Sequence, residues 1–183
     1  EEYALLTFDN TDKTNNKLEI KADANSFIKT FSIKGSNESG EIAGFTKSIY
    51  QFQEDKMNFT NVKFSKNASL SEKNAAQNSL DSLDVVFKQT RDDFINKNYN
   101  SICAIVAVGY LNPTEDIELL RKIEGGLAET VPNSDYHLGV KTQLTQIETQ
   151  IKIQQEQEEQ RVAQEAKTAI GAVAPELNFK SPT

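Results

Sequence analysis

The 183-residue chain has a single cysteine, Cys103, a single histidine, His137, one methionine and no tryptophan. One cysteine excludes an internal disulfide, a cysteine-rich metal site and a Cys-x-x-Cys pair within these residues. One histidine leaves no His pair for a metal, and any Ser–His–Asp arrangement would hang on that residue alone. No run of about 18 apolar residues occurs, so nothing reads as a membrane span. Basic residues are in the minority: 20 Lys and Arg stand against 27 Asp and Glu, for a net charge of −7. That balance argues against nucleic acid or an anionic membrane surface as partner, because both call for basic patches. A chain of this length can bury roughly 70% of its unfolded surface, so it needs neither disulfide nor metal to fold. No leader pattern opens it, and Glu1 stands against what reads as a strand. Its start is therefore expected to be a cut within a longer chain.

What is present divides into a β-patterned beginning and a helix-patterned remainder. Residues 3–8 (Tyr-Ala-Leu-Leu-Thr-Phe) read as a strand, followed by a polar turn over 9–16. Leu18, Ile20 and Ala22 alternate with lysine and glutamate, predicting a half-buried strand with one wet face. Phe27, Thr30, Phe31 and Ile33 suggest a third strand with an irregularity near Thr30, completing an antiparallel meander. Gly35 can take positive φ, and Ser36 or Ser39 can cap a following helix on whose face Ile42, Phe45, Ile49 and Phe52 recur. Residues 57–64 read as a connector. A long helix is predicted over 69–96, with Leu80, Leu83, Phe87 and Phe94 inward. Ser101 caps a segment, residues 102–110, that is apolar all round and so should be the most buried helix. Thr114 is placed to cap the next helix, with Ile117, Leu120 and Ile123 inward and Gly125-Gly126 as its stop. The last helix is expected over 136–167. Its seam is Val140, Leu144, Ile147 and Ile151, and the residues at 154–161 have no apolar member and should run through solvent.

No constellation in this sequence carries chemistry. Cys103 lies early in a helix pattern but among Ile102, Ala104 and Ile105, which marks a small core residue rather than an activated thiolate. His137 reads as solvated or locally hydrogen-bonded. Asp81/Asp84, Asp92/Asp93 and Glu156/Glu158/Glu159 lack the spacing of a calcium loop and read as charge on helix faces. Gly125-Gly126 lacks the context of a phosphate cradle. The aromatics Tyr3, Phe8, Phe27, Phe31, Phe45, Phe52, Phe87 and Phe94 are spaced as a core between sheet and helices. No catalytic, cofactor-binding or metal-binding residue is assigned.

The final fourteen residues carry a resemblance. Gly171, Ala174, Pro175 and Glu176, followed by the alternating Leu177 and Phe179, resemble the leading segment of thioredoxin-like domains of the TlpA and AhpC/TSA type. A second point, earlier in the chain, is the strand followed by Gly35-Ser36-Asn37-Glu38-Ser39 and a helix. It is similar to the end of the β-rich DUF4369-type domain that precedes such domains in bacterial envelope proteins. The asparagine-rich break and serine-capped buried helix at 98–110 agree as well. The resemblance implies residues 1–38 as the end of that β-rich domain, 39–167 as a helical region, and 168–183 as linker and first strand of a thioredoxin-like domain. The expected fold is α+β: a small antiparallel sheet, then a helical body with a long C-terminal helix. The implied function is that of the non-catalytic N-terminal region of a periplasmic or cell-envelope thiol–disulfide oxidoreductase, positioning the redox domain or its protein clients. Any membrane attachment would run through a lipid anchor outside this chain. The alternative, from the seam at Val140–Leu144–Ile147–Ile151, is a stand-alone helical interaction or scaffold domain.

Overall fold

A computed structural model describes residues 17–168. The expected strand at 3–8, its following turn and the tail from residue 169 lie outside the described residues. Within them, helices dominate, and two short strands, β1 (Glu19–Lys21) and β2 (Ser32–Lys34), form an antiparallel pair with Ile20 opposite Ile33. Gly35 ends β2 at φ 95°, and a Cβ there would stand 2.1 Å from the Lys17 carbonyl oxygen, so only glycine closes this sheet.

The third expected strand is a correction. Phe27–Thr30 forms a helical turn, α1, and only Ser32–Lys34 is extended. Short-range side-chain bonds outbid β propensity here. Asp23 Oδ1 accepts from the Asn25 N–H, and Thr30 Oγ1 accepts from the Asp23 N–H while donating to the Ser26 carbonyl. The turn also stacks Phe27 on Phe31, four residues on, with ring centroids 5.5 Å apart. β1 differs too: its three residues are all exposed, so neither face is buried.

Ser36 caps α2 (Asn37–Phe64), its Oγ accepting from the Ser39 N–H at 3.1 Å. The connector expected at 57–64 is instead the last two turns of this helix. Ser69 opens α3 (Leu70–Asn98) with a capping box: its Oγ accepts from the Glu72 N–H, and Glu72 Oε2 accepts from the Ser69 N–H. α2 and α3 run antiparallel through an aromatic ladder. Phe45 stacks on Phe94 at 4.2 Å, Phe52 on Phe87 at 4.0 Å, and Tyr110 meets Phe45 and Phe87 edge-on. The aromatic core therefore lies between two helices rather than between sheet and helices. Of the described aromatics near the sheet, Phe31 alone is fully buried.

Among the described residues the segment 102–108 is the most buried, as its composition predicts, but it is a 3-10 turn (Ile102–Ala104) and one turn of helix, α4 (Ile105–Val108). α5 (Ile117–Thr130) then continues straight through Gly125 and Gly126, where a stop was expected. Gly126 is there for packing. A Cβ on it would lie 2.5 Å from the Tyr99 carbonyl oxygen and 2.9 Å from Asn100 Cα. α6 (Asp135–Thr168) follows a turn in which Asn133 takes φ 62°. Val140 and Leu144 join the core formed by Ile42, Phe45, Phe94, Ile95, Cys103, Ala104, Leu120, Ile123 and Leu127. Past Ile151 the described side chains of α6 are all exposed. At about 1.5 Å per residue the helix is about 51 Å long, and its far half leaves the body.

Candidate functional site

Three buried polar clusters are the places where this body could hold chemistry. The first surrounds Cys103. Ser101, at the N-terminus of the 3-10 turn, accepts from the Cys103 N–H at 3.2 Å and from its Sγ at 3.0 Å, and donates its own proton to Glu38 of α2. One hydroxyl proton and two acceptor positions are thus all in use. Proton donation runs from thiol to hydroxyl to carboxylate. That direction keeps the sulfur protonated, and burial pushes the Cys103 thiol above its ordinary value, with the Glu38 charge adding to the effect. The sulfur is fully buried, has no second thiol and has no cation among its partners. It is a core residue that ties the 3-10 turn to α2.

The second cluster escaped the sequence reading. Arg91 of α3 and Asp116, just before α5, are both buried and meet at 2.8 Å, Nη1 to Oδ2. Arg91 Nη1 also donates to the Tyr110 carbonyl at 2.7 Å, and Nε donates to Asp92 Oδ1 at 2.8 Å. Nη2 lies 2.7 Å from the same Asp92 oxygen, an ionic contact without hydrogen-bond alignment. Asp116 accepts in addition from the Asn112 N–H. Burial alone would push the Asp116 carboxyl upward. The Asn112 N–H, the Arg91 bond and charge, and Lys88 outweigh it and hold the carboxyl below the usual range. Asp116 stands at the helix-capping position but makes no capping bond, because its carboxylate is turned to Arg91. Thr114, the expected cap, bonds Asn112 Oδ1 instead. A signal for Arg91 did exist: it stands four residues after Phe87 and three before Phe94, on the apolar stripe of α3.

The third cluster is at the α5–α6 turn. His137 is buried rather than solvated, and it bonds both locally and across to α5. Nδ1 accepts from the Asn133 N–H at 3.4 Å, which places the ring proton on Nε2, 3.0 Å from Glu124 Oε1. This ring fastens α6 to α5, as does the Arg121–Glu148 pair at 2.9 Å.

These clusters do not merge: Cys103, Asp116 and His137 share no hydrogen-bond partner. The acidic pairs on α3 are each engaged singly, Asp84 with Lys56, Asp92 with Arg91, Asp81 with Gln77 and Asp93 with Gln89. Among the described residues no group of three or more His, Cys, Asp or Glu is placed to hold a metal. Apart from Arg91 Nη2, which makes an ionic contact but no hydrogen bond, the groups of each polar cluster bond within the protein, and each cluster joins one element to its neighbour.

Comparisons of the chain with protein-family models, with curated proteins and with solved structures find no match.

Proposed function

We propose that the chain is a non-catalytic accessory region, a helical platform from which α6 carries a thioredoxin-like domain of an envelope thiol–disulfide oxidoreductase. The observation that carries this reading is the division of α6. Its first half is bolted to α5 by His137, Val140, Leu144 and the Arg121–Glu148 pair. Past Ile151 its described side chains are exposed, and in the sequence it precedes Gly171 to Phe179, whose pattern resembles the start of such a domain. A helix anchored at one end and free at the other makes a stiff spacer, at 1.5 Å per residue, between a body and whatever follows it. The dithiol chemistry belongs in this reading to the following domain, in which a low-pKa thiolate attacks a disulfide. Cys103 takes no part in it.

Reading the coding sequence on from the Thr183 codon tests the proposal. A strand followed by a Cys-x-x-Cys at a helix start is the expected result. Its absence removes the oxidoreductase. The purified chain is also expected to be inactive in insulin reduction, and activity abolished by Cys103→Ala would overturn the reading of that thiol.

A second reading, a stand-alone helical interaction domain, is favoured by Ile153 and Val162, both about half exposed on the free part of α6. It requires a concentration-dependent dimer that loses helicity on dilution. A monomer of constant helicity sinks it.

A further inference from the structure

The α2–α3 hairpin reaches well beyond the core. After Phe45 no residue of α2 is buried, and nineteen residues of helix, about 28 Å, separate Phe45 from the turn. At that turn stand Phe64, 72% exposed, and Leu70, 75% exposed, with Val62 beside them at 41%. Exposed aromatic and aliphatic side chains on the end of a projecting arm contribute nothing to the body's own core.

Two further features bear on what they meet. The first is charge. Between residues 62 and 80 the chain has Lys63, Lys66 and Lys73 against Glu72 alone, whereas the whole chain is at −7. Lys63 Nζ lies 5.2 Å above the Phe64 ring, so cation and apolar surface adjoin. Apart from Glu72, the nearest carboxylates along the two helices, Asp55 and Asp81, stand eight residues, about 12 Å, from Lys63 and Lys73, against a Debye length of about 10 Å at moderate salt, so the turn presents its own sign more than the chain's. The nearest further lysine, Lys56, is already paired with Asp84. The second feature is that the turn is internally satisfied. The Ser65 N–H bonds the Val62 carbonyl, the Asn67 N–H bonds Ser65 Oγ, and Ser69 and Glu72 bond each other reciprocally. Taking this turn out of water therefore strips few unpaired donors, which lowers the cost of burial.

We infer that the α2–α3 turn is a contact point for an anionic lipid surface, with Phe64 and Leu70 entering the interface and Lys63, Lys66 and Lys73 meeting the headgroup phosphates. A soft, negatively charged surface accepts a convex apolar tip rimmed by lysines without needing a groove of matching shape. Chain-wide charge speaks against such a surface, but residues 62–80 carry the opposite sign, and the fold sets them at the end of an arm beside exposed Phe64 and Leu70. The inference is independent of the oxidoreductase reading.

Vesicle flotation of the chain tests it, using phosphatidylcholine alone and an equimolar mixture with phosphatidylglycerol. The chain is expected to float with the mixed vesicles, to remain behind with the neutral ones and to be released by salt. Each of Lys63→Gln, Lys66→Gln and Lys73→Gln should weaken binding by roughly fivefold. The double variant Phe64→Ser with Leu70→Ser should abolish binding while leaving helicity and melting temperature unchanged, since both side chains are exposed. Equal partition to both vesicle types, no flotation, or undiminished binding by the double variant overturns the proposal. So does a dimer in lipid-free solution that the double variant dissociates, which would make the turn a protein contact.

Discussion

Gly125 and Gly126 are neighbours in sequence, but their surroundings in the fold are opposite. Nothing lies within 4 Å of a Cβ built on Gly125, whereas one on Gly126 meets the Tyr99 carbonyl oxygen at 2.5 Å. Gly125→Ala should therefore stabilise the protein by about 0.5–1 kcal/mol, the ordinary gain of alanine over glycine inside a helix. Gly126→Ala should destabilise it by about 1–3 kcal/mol, because backbone at 99–100 must move. Urea denaturation of the two variants checks both signs. Asp116 offers a second test of single-residue roles. Its depressed carboxyl contributes stability that is fully present above its unfolded value, about pH 4, and is lost as pH falls through the lower folded value. Asp116→Asn leaves buried Arg91 with only the more exposed Asp92 as counter-charge, an expected loss of about 1–3 kcal/mol at neutral pH. The gap between wild type and variant should then shrink as the solution is acidified below about pH 4, where wild-type Asp116 takes up a proton too. A gap that stays constant on acidification would show the pair to contribute nothing electrostatically.

Among the elements, α6 was read closely from its sequence and α2 was not. The seam of α6 is regular at 140, 144, 147 and 151, and burial follows it, falling from Val140 and Leu144 to the exposed residues past Ile151. Leu144→Ala should cost about 2–5 kcal/mol, whereas Val162→Ala, half exposed on the free end, should stay within about 0.5 kcal/mol. Thermal unfolding of the pair locates where the helix leaves the body. α2 lost its periodic signal at Met57 because beyond the core it faces only α3. One neighbour buries a narrow stripe, and Phe59 and Thr60 are half-buried while Met57 and Phe64 are exposed. The start of α3, by contrast, was expected at residue 69, where Ser69 and Glu72 form a capping box by local chemistry that the sequence reading did not name. At 27–30 the competition went the other way, with Asp23 and Thr30 side chains capturing the backbone that β propensity would have extended.

For the molecule as a whole, the buried polar contacts are fasteners between helices. Ser101 and Glu38 join the buried turn to α2, Arg91 and Asp116 join α3 to the start of α5, and His137 and Glu124 join α5 to α6. Cys103 lies at the middle of this arrangement with no exposed surface, so its labelling requires opening of the core. Its modification by a thiol reagent should be slow in the native protein and rise with urea in step with loss of helicity. Fast labelling in buffer, uncoupled from unfolding, would mean that the 101–104 turn opens by itself.

Sequence alone determined the helical remainder, a serine cap for α2 at Ser36 or Ser39, the cap at Ser101, the buried stretch after Ser101 and the polar far end of α6. These follow from periodicity and short-range hydrogen bonding, both of which act within a few residues. It also separated Cys103 from reactive thiols, since its apolar neighbours are adjacent in the chain. Only the tertiary structure decided that Gly126 is a packing glycine, that Arg91 and Asp116 are paired, and that the aromatics stack between α2 and α3. Each of these depends on residues brought together across helices, at separations of 25 positions for Arg91 and Asp116 and 49 for Phe45 and Phe94. Local propensity carries no information about such partners, because it is the packing of apolar faces that selects them.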